Sequence, residues 1–264
     1  MIDDIIKKVK SETLKASQFV ISSEKQGLYK GLVKEYKNSS PEFEIDSEVI
    51  KIFKTFCVQN NIWLISEGYF EKRESFHKFF MILDPVDGTL NFSRGIEFFT
   101  IALSLGSFGD NEHPVLDDIE YSIIINSKGE IFEGRKNGSA SKNGKKLEVS
   151  NIKYFADAIV RIGKIDAVKG EDLNNFFLGM INLGCTSWEL NLLAEGKIDI
   201  YLEKKQRKIF DFAASYLIIK EAGGTVLSLN GEEISGLSLN YNTKSTLIFT
   251  NSHININELK KILL

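Results

Sequence analysis

The sequence ILDPVDGTLNF at residues 82–92 constrains the fold more than any other part of this chain. An apolar run that is typical of a buried strand ends at Asp84. Pro85 has no N–H to donate to a sheet, which predicts that the strand stops there. The sequence DGT, which begins at Asp87, predicts a tight turn. Two carboxylates three residues apart at the end of a strand can therefore converge on one point.

Carboxylates in this arrangement suit Mg²⁺, because the ion prefers oxygen ligands in a compact octahedral geometry and often shares its site with a substrate phosphate. Gly88 lets the backbone approach a ligand closely, so the amides of Gly88 and Thr89 can face an anion. Two aspartates at this spacing are also typical of a simple turn. The metal hypothesis therefore depends on the rest of the string.

The complete string resembles the metal-binding signature of the inositol monophosphatase family, D-P-[hydrophobic]-D-G-T-x-N, over residues 84–91. Glu67 lies at the end of a predicted strand, where the family has a metal-ligating glutamate. Asp46 matches an aspartate on the family's first-half helix. The sequence DFAASYLIIKEAGG, which begins at Asp211, resembles the second family signature. The resemblance extends over roughly residues 40–225.

This resemblance implies a metal-dependent phosphatase. A first Mg²⁺ would be held by Glu67, Asp84 and the carbonyl of Val86. A second would be held by Asp84, Asp87 and Asp211. Two cations about 3.5–4 Å apart can stabilise both the attacking and the leaving oxygen of an in-line phosphoryl displacement.

The resemblance also assigns the catalytic and substrate-binding residues. Thr89, hydrogen-bonded to Asp46, would orient and help to deprotonate a water that the metal activates. The residues expected to contact the substrate are Asp87, Gly88, Thr89, Cys185, Glu203 and Lys204.

Two positions depart from the family pattern. Gly68 stands where members usually carry a second acidic residue, which leaves open the outer shell of the first metal and a weak third Mg²⁺ site. Cys185 stands where a small hydroxyl residue often lines the substrate site. We interpret its thiol as a lining group, since nothing nearby in the sequence indicates a lowered thiol pKa.

Two features before Asp211 resemble the archaeal branch of the family, whose members hydrolyse inositol-1-phosphate and fructose-1,6-bisphosphate. Phe210 stands where many members have tryptophan, and the basic sequence EKKQRK at residues 203–208 predicts a charged turn. Lys204 stands seven positions before Asp211, where that branch has a substrate-binding basic residue. The resemblance therefore implies Mg²⁺-dependent hydrolysis of both compounds.

The implied fold is α/β (α+β), a layered sugar-phosphatase sandwich in which helices flank two mixed sheets. Hydrophobic periodicity predicts helices first, then strands, then a mixed α/β half. No low-complexity linker interrupts the chain, and we place a soft boundary near Ser150. Residues 1–150 would carry the main metal motif and residues 151–264 a C-terminal α/β half, packed tightly as one functional unit.

The same patterns predict the individual elements. Helices are expected within residues 2–36, from Asp46 onward, and at residues 185–195, 211–222 and 254–263. Asp211 is expected to cap the N-terminus of its helix. Strands are expected at residues 63–66, 79–83, 98–105, 119–126, 158–163, 198–202 and 246–250.

Charge and cysteine content exclude other classes of protein. With 33 basic and 36 acidic residues, the net charge of −3 gives no basis for nucleic-acid binding. Two cysteines exclude a disulfide framework. The N-terminus is charged, and no apolar run approaches the ~18 residues of a membrane span, so we expect a cytoplasmic protein without membrane contact. The expected partners are a small sugar-phosphate or inositol-phosphate substrate and, by the family resemblance, a second copy in a homodimer.

Two alternatives remain open on the same fold. One is hydrolysis of 3′-phosphoadenosine 5′-phosphate, for which the sequence shows no identifiable nucleobase pocket. The other is a catalytically degenerate module that only binds sugar phosphates. Such a module would be expected to lose its metal carboxylates, whereas this chain retains every candidate ligand named above.

Overall fold

The computed structural model describes residues 2–28, 33–37, 40–108, 113–163 and 175–263, which form alternating layers of helix and sheet. The helices are α1 (Ile2–Lys25), α2 (Glu44–Asn60), α3 (Thr89–Arg94), α4 (Thr186–Ala194), α5 (Ala213–Glu221) and α6 (Ile256–Leu263). The strands are β1 (Val33–Lys37), β2 (Ser40–Phe43), β3 (Ile62–Ser66), β4 (Tyr69–Phe70), β5 (Phe79–Asp87), β6 (Thr100–Ser107), β7 (Ile119–Asn126), β8 (Ile131–Arg135), β9 (Ala140–Lys142), β10 (Lys145–Lys146), β11 (Ile159–Ile162), β12 (Gly179–Met180), β13 (Ile200–Lys208), β14 (Thr225–Leu227) and β15 (Lys244–Thr250).

Two mixed sheets dominate the fold, as the sequence predicts. The eight-stranded sheet has the order β10-β9-β8-β7-β6-β5-β3-β4, in which only β3 and β5 are parallel neighbours. The five-stranded sheet has the order β12-β11-β13-β15-β14, and β11 runs parallel to both of its neighbours. Strands β1 and β2 form a separate two-stranded sheet. The division of the chain near residue 150 stays a prediction.

The large sheet is covered on both faces, which explains why β5 is apolar along nearly its whole length. Phe80 and Ile82 face one core, which they share with α4 and α5. Met81 and Leu83 point to the opposite face and pack with α1 and α2. Because side chains alternate along a strand, a strand buried on both faces needs apolar residues at every position.

Helices α4 and α5 lie between the two sheets, which explains why they are buried on all sides. Tyr201 and Phe249 of the small sheet share the core of these helices. Leu202 and Ile248, on the other face of that sheet, pack with Leu259 of α6. None of the helices in the described part of the chain combines the length and the apolar character that crossing a bilayer requires.

Strand β5 does not stop at Pro85, so that prediction is wrong. The strand continues to Asp87, and its pairing with β6 shifts between Asp84, opposite Ala102, and Asp87, opposite Thr100. A bulge of this kind accommodates a proline without an unmade ladder hydrogen bond. It also changes the direction of the strand where the two aspartates lie.

The basic sequence at residues 203–208 is not a turn, which corrects a second prediction. Strand β13 continues through it to Lys208, with a register shift between Glu203 and Arg207 against β15. The other neighbour, β11, ends opposite Leu202. This end of β13 is therefore paired on one side, and its charged side chains are partly solvated.

Two helix boundaries also differ from the predictions. Residues Ile209–Asp211 form a short 3-10 helix, and α5 begins at Ala213 with Phe212 at its N-cap position, so Asp211 is not the helix cap. At the other end of the chain, α1 ends at Lys25, and residues 33–37 form a strand rather than a helix. The remaining predicted helices and strands are confirmed to within a few residues.

Candidate active site

Three carboxylates converge where the two sheets approach each other. Glu67 follows β3 directly, and its neighbour Ser66 pairs with Leu83, so parallel pairing brings Glu67 beside Asp84 of β5. The 3-10 helix after β13 brings in Asp211. One oxygen from each of the three side chains lies within 4.8 Å of the others.

The carboxylates of this cluster repel one another, and burial together with this repulsion raises the pKa values of Asp84 and Asp211. Burial raises the pKa of Asp84 well above its ordinary value, and the charges of Asp87, Glu67, Asp211 and Asp46 raise it further. Burial, Glu67 and Asp87 raise the pKa of Asp211 to about 8. Oxygen Oδ1 of Asp84 is buried and has no hydrogen-bond partner among the described residues. The donor set therefore fits a hard divalent cation, which would neutralise the cluster and bind the unpaired oxygen.

Asp87 is held by the first turn of α4. The backbone N–H groups of Thr186 and Ser187 donate to its carboxylate over 3.3 and 2.5 Å, and the Ser187 hydroxyl donates to it over 2.5 Å. Helix N-termini stabilise carboxylates in this way. Its charge still reaches the cluster, since it raises the pKa of both Asp84 and Asp211.

Cys185 lies against the same motif. Its thiol donates to the backbone carbonyl of Asp87 over 3.4 Å, and the side chain is buried. Burial and the charge of Asp87 raise the pKa of the thiol well above its ordinary value. A buried thiol with a raised pKa is a poor candidate for a thiolate nucleophile, and the expected contact of Cys185 with the substrate stays a prediction.

The turn after β5 depends on Gly88. Its φ of +83° is in the left-handed region, and a Cβ there would lie 2.6 Å from the carbonyl oxygen of Phe98. The next residue, Thr89, begins α3, and its hydroxyl donates to the carbonyl of Val86 over 2.6 Å. Asp46 lies in the first turn of α2. The hydrogen bond between Thr89 and Asp46 stays a prediction.

Asn91 has a positioning role that the sequence analysis did not assign. Its amide donates to the carbonyl of Phe98 over 2.7 Å and to that of Leu183 over 2.8 Å. It thereby joins the metal motif to the segment that precedes α4. The signal was present, because Asn91 is a fixed position of the signature string.

Basic residues of β13 border the carboxylate cluster. The ammonium group of Lys208 lies 3.1 Å from Oε1 of Glu67, a contact that the turn prediction missed. Lys204 lies on the same strand and is partly exposed. The carboxylate of Glu203 is buried, and it accepts hydrogen bonds from the guanidinium groups of Arg161 and Arg207.

Comparison with known proteins identifies the family of this chain. The family model described as the inositol monophosphatase family matches residues 7–259. The chain belongs to the inositol monophosphatase family.

Relatives and solved structures of this family show how far the similarity extends. A Methanococcus maripaludis protein named bifunctional NADP phosphatase/NAD kinase is 31% identical over 71% of this chain and 36% of its own length. A Methanocaldococcus jannaschii protein named fructose-1,6-bisphosphatase/inositol-1-monophosphatase is 31% identical over 65% of each chain. The matched region is thus about a third of the first relative and just under two thirds of the second. The extragenic suppressor protein suhB from Bartonella henselae superimposes with a TM-score of 0.81 over 98% of each chain, at 22% identity. This last match shows the shared fold, which confirms the predicted sandwich.

Within this inositol monophosphatase family member, the structure brings together Glu67, Asp84 and Asp211, with Asp87 and Asp46 near enough for their charges to act on the cluster. The roles assigned to these residues stay predictions. Ser187, Asn91 and Arg161 are neighbours to which sequence reasoning assigned no role, whereas Arg207 and Lys208 belong to the basic sequence that was expected near the site.

Proposed function

We propose that this protein is a phosphoric monoester hydrolase that requires Mg²⁺. The convergence of Glu67, Asp84 and Asp211 around the unpaired Oδ1 of Asp84 is the observation that carries the proposal. Like charges that crowd around a buried, unpaired carboxylate oxygen are costly for stability, so a cluster of this kind is typical of a functional site.

The metal ligands follow from the position of each side chain. Glu67, Asp84 and the carbonyl of Val86 would hold one ion, and Asp84, Asp87 and Asp211 a second. When bound, the ions would stabilise charge on the attacking and leaving oxygens and make a water more acidic. A third, weaker ion is left open by the glycine at position 68.

The chain's own residues would orient the reactants. Thr89 and Asp46 would position the attacking water, whose proton would pass through the Thr89 hydroxyl to the Asp46 carboxylate. As the water oxygen bonds to phosphorus, the ester P–O bond would break, and the released alcohol would take a proton from solvent. The amides of Gly88 and Thr89 would hold the phosphate, with their N–H groups facing its oxygens. The other substrate contacts that we propose come from Asp87, Cys185, Glu203 and Lys204.

We propose inositol-1-phosphate and fructose-1,6-bisphosphate as substrates, supported by the family and by the name of the Methanocaldococcus jannaschii relative. NADP is a second candidate, supported by the name of the Methanococcus maripaludis relative. The alternative of 3′-phosphoadenosine 5′-phosphate is tested in the same panel. A homodimer stays a prediction from the family, and light scattering of the purified protein measures the subunit number. The cytoplasmic location stays a prediction from the sequence.

The decisive experiment is release of inorganic phosphate from this panel, with and without Mg²⁺. Asp87→Asn should lower kcat/KM at least about 10³-fold, because it removes an anionic metal ligand. Asp157→Asn is the matched control, since Asp157 is exposed on the short 3-10 helix Phe155–Asp157 and should leave the rate unchanged. Absence of Mg²⁺-dependent release from every compound would favour a binding module instead. Near-normal turnover by Asp87→Asn would refute the metal assignment.

A further inference from the structure

The carboxylate of Glu189 is buried within α4 and holds the backbone that leads into this helix. Its Oε1 accepts hydrogen bonds from the N–H groups of Leu183 over 2.6 Å and of Gly184 over 3.1 Å. Its Oε2 lies 2.8 Å from Nε of Arg161 on β11. That oxygen has no hydrogen-bond partner among the described residues, so its contact with the guanidinium is one of charge. Glu189 therefore connects the segment before α4 to a strand of the small sheet.

The first turn of α4 is the part of the helix that these contacts orient. An α-helix begins with N–H groups that have no partner inside the helix. In α4, two of these groups, on Thr186 and Ser187, donate to the carboxylate of Asp87. Glu189 accepts from the two N–H groups just before the helix cap, so the chain enters α4 with its first turn directed toward Asp87.

The segment before α4 is also held from the side of the metal motif. The Asn91 amide donates to the carbonyl of Leu183 over 2.8 Å, and Glu189 accepts from the N–H of the same residue. Asn91 belongs to the same local string as Asp87. The two contacts therefore fix the start of α4 relative to the carboxylate that its N–H groups hold.

Stability alone is a poor explanation for a buried ion pair at this position. Arg161 and Glu189 are both buried, and burying two charges costs about as much as their attraction returns. Burial raises the pKa of Glu189 above its ordinary value, Arg161 lowers it, and the charge of Asp87 raises it again. A carboxylate that lies near enough to Asp87 to be repelled by it is costly, which points to a role in the site.

We infer that Glu189 and Arg161 are positioning residues for Asp87. The pair holds the first turn of α4 where its N–H groups keep the Asp87 carboxylate directed toward the proposed second Mg²⁺. Both residues act through α4 instead of touching the ion. This inference rests on the proposed function, in which Asp87 is a ligand of the second ion and not of the first.

Binding of Mg²⁺ alone to the full chain, measured by calorimetry without substrate, tests this inference and requires no turnover. Glu189→Ala should weaken binding of the second ion by about 10- to 100-fold, the usual effect of removing a residue that orients a metal ligand. Binding of the first ion should change by less than about threefold, because Asp87 is not among its proposed ligands. Glu189 is the residue to change, because Arg161 also pairs with Glu203.

Asp199→Ala is the matched control for a loss of stability. Asp199 is also a buried carboxylate, and it accepts hydrogen bonds from the N–H of Ile159 and the hydroxyl of Ser150. It directly precedes β13, whose opposite end leads to Asp211. The control should lower the free energy of unfolding in urea but leave the binding of both ions within about threefold of the wild type. Equal weakening of the second ion in Asp199→Ala and Glu189→Ala would overturn the inference.

A second variant covers the case in which Glu189→Ala fails to fold. Glu189→Gln has nearly the same volume, but its amide carries a single oxygen. That oxygen cannot accept from the N–H groups before α4 and also face Arg161. Binding of the second ion should be at least about threefold weaker than in the wild type. Second-ion binding equal to the wild type, in whichever of the two variants folds, would overturn the positioning role.

Failure of this inference is distinguishable from failure of the proposed function. If the wild type binds two ions and releases phosphate, but Glu189→Ala binds both ions equally well, only the role of Glu189 is refuted. If the wild type binds no second ion and hydrolyses no compound of the panel, the proposed function itself fails. In an active enzyme, the Mg²⁺ concentration that gives half-maximal kcat should also rise about 10- to 100-fold in Glu189→Ala, and excess Mg²⁺ should restore kcat.

Discussion

Replacing Asp211 with asparagine should stabilise the metal-free protein, although it removes a proposed metal ligand. Burial, Glu67 and Asp87 raise the pKa of Asp211 from an ordinary 3.8 to about 8. In the unfolded chain the carboxyl group returns to its ordinary pKa, so the folded protein binds more protons between these two values. The stability that this group contributes is complete below about pH 4 and is lost as pH rises toward about 8.

The size of the loss follows from the same two pKa values. Each pH unit within the interval removes about 1.4 kcal/mol from the free energy of unfolding. The total is about 3 kcal/mol near pH 6 and about 5 kcal/mol near pH 8. The Asp211 side chain is only 18% exposed, so solvent screens little of this energy. Asparagine is neutral at every pH and should show no such loss.

Urea unfolding in the presence of a chelator measures this difference, with Asp157→Asn as the control for an exposed aspartate. Asp211→Asn and the wild type should be equally stable near pH 4, and the variant should be several kcal/mol more stable near pH 8. Saturating Mg²⁺ should reduce or reverse the difference, because the ion binds the folded wild type and neutralises the same charges. Equal stability near pH 8 without metal would refute the argument that the crowded carboxylates destabilise the metal-free site.

Three further substitutions test other parts of the site. Thr89→Ala should lower kcat for inositol-1-phosphate far more than it raises KM, because the water is oriented only as the transition state forms. A raised KM with an intact kcat would instead make Thr89 a substrate contact. Lys204→Ala should lower kcat/KM for fructose-1,6-bisphosphate by roughly 10- to 150-fold and that for inositol-1-phosphate by less than about threefold. Equal losses in this steady-state assay would indicate general electrostatic steering. Gly88→Ala should cost at least about 2 kcal/mol in urea unfolding, because its Cβ would clash with the Phe98 carbonyl, whereas Gly144→Ala, at φ +78° in open space, should cost about 1 kcal/mol. A Gly88→Ala cost no larger than that of Gly144→Ala would contradict the clash.

Helices and strands with a regular pattern of buried residues were predictable from the sequence. Elements whose ends depend on pairing with a strand distant in the sequence were not. Strands β3 and β7 are short apolar runs whose side chains are almost all buried, and their predicted bounds agree closely with the structure. The end of β13 could not be predicted, because its charged residues are typical of a turn and only its pairing with β15 makes it a strand. Asp211 was misplaced for the same reason, since the 3-10 helix depends on where β13 ends.

The residues of the candidate site also fall into two groups, those that a local sequence pattern predicts and those that only the folded structure brings together. Asp84 and Asp87 belong to one local string, so their place at the end of β5 was accessible from the sequence and from the family resemblance. Arg161 and Glu189 belong to no local motif, and they meet only because β11 and α4 pack around β13. A charge network between distant elements leaves no periodic signal in the sequence.

The contacts that complete the site join residues far apart in the chain, which bears on how the protein is made. Lys208 is 141 positions from Glu67, and Ser187 is 100 positions from Asp87. Contacts across such separations form late, because a long loop must close before they are gained. A chain still on the ribosome would therefore carry the first carboxylates long before the segment with Asp211 has emerged. A protein released before that residue would lack a proposed metal ligand, so on the proposed function an incomplete translation product would have no phosphatase activity.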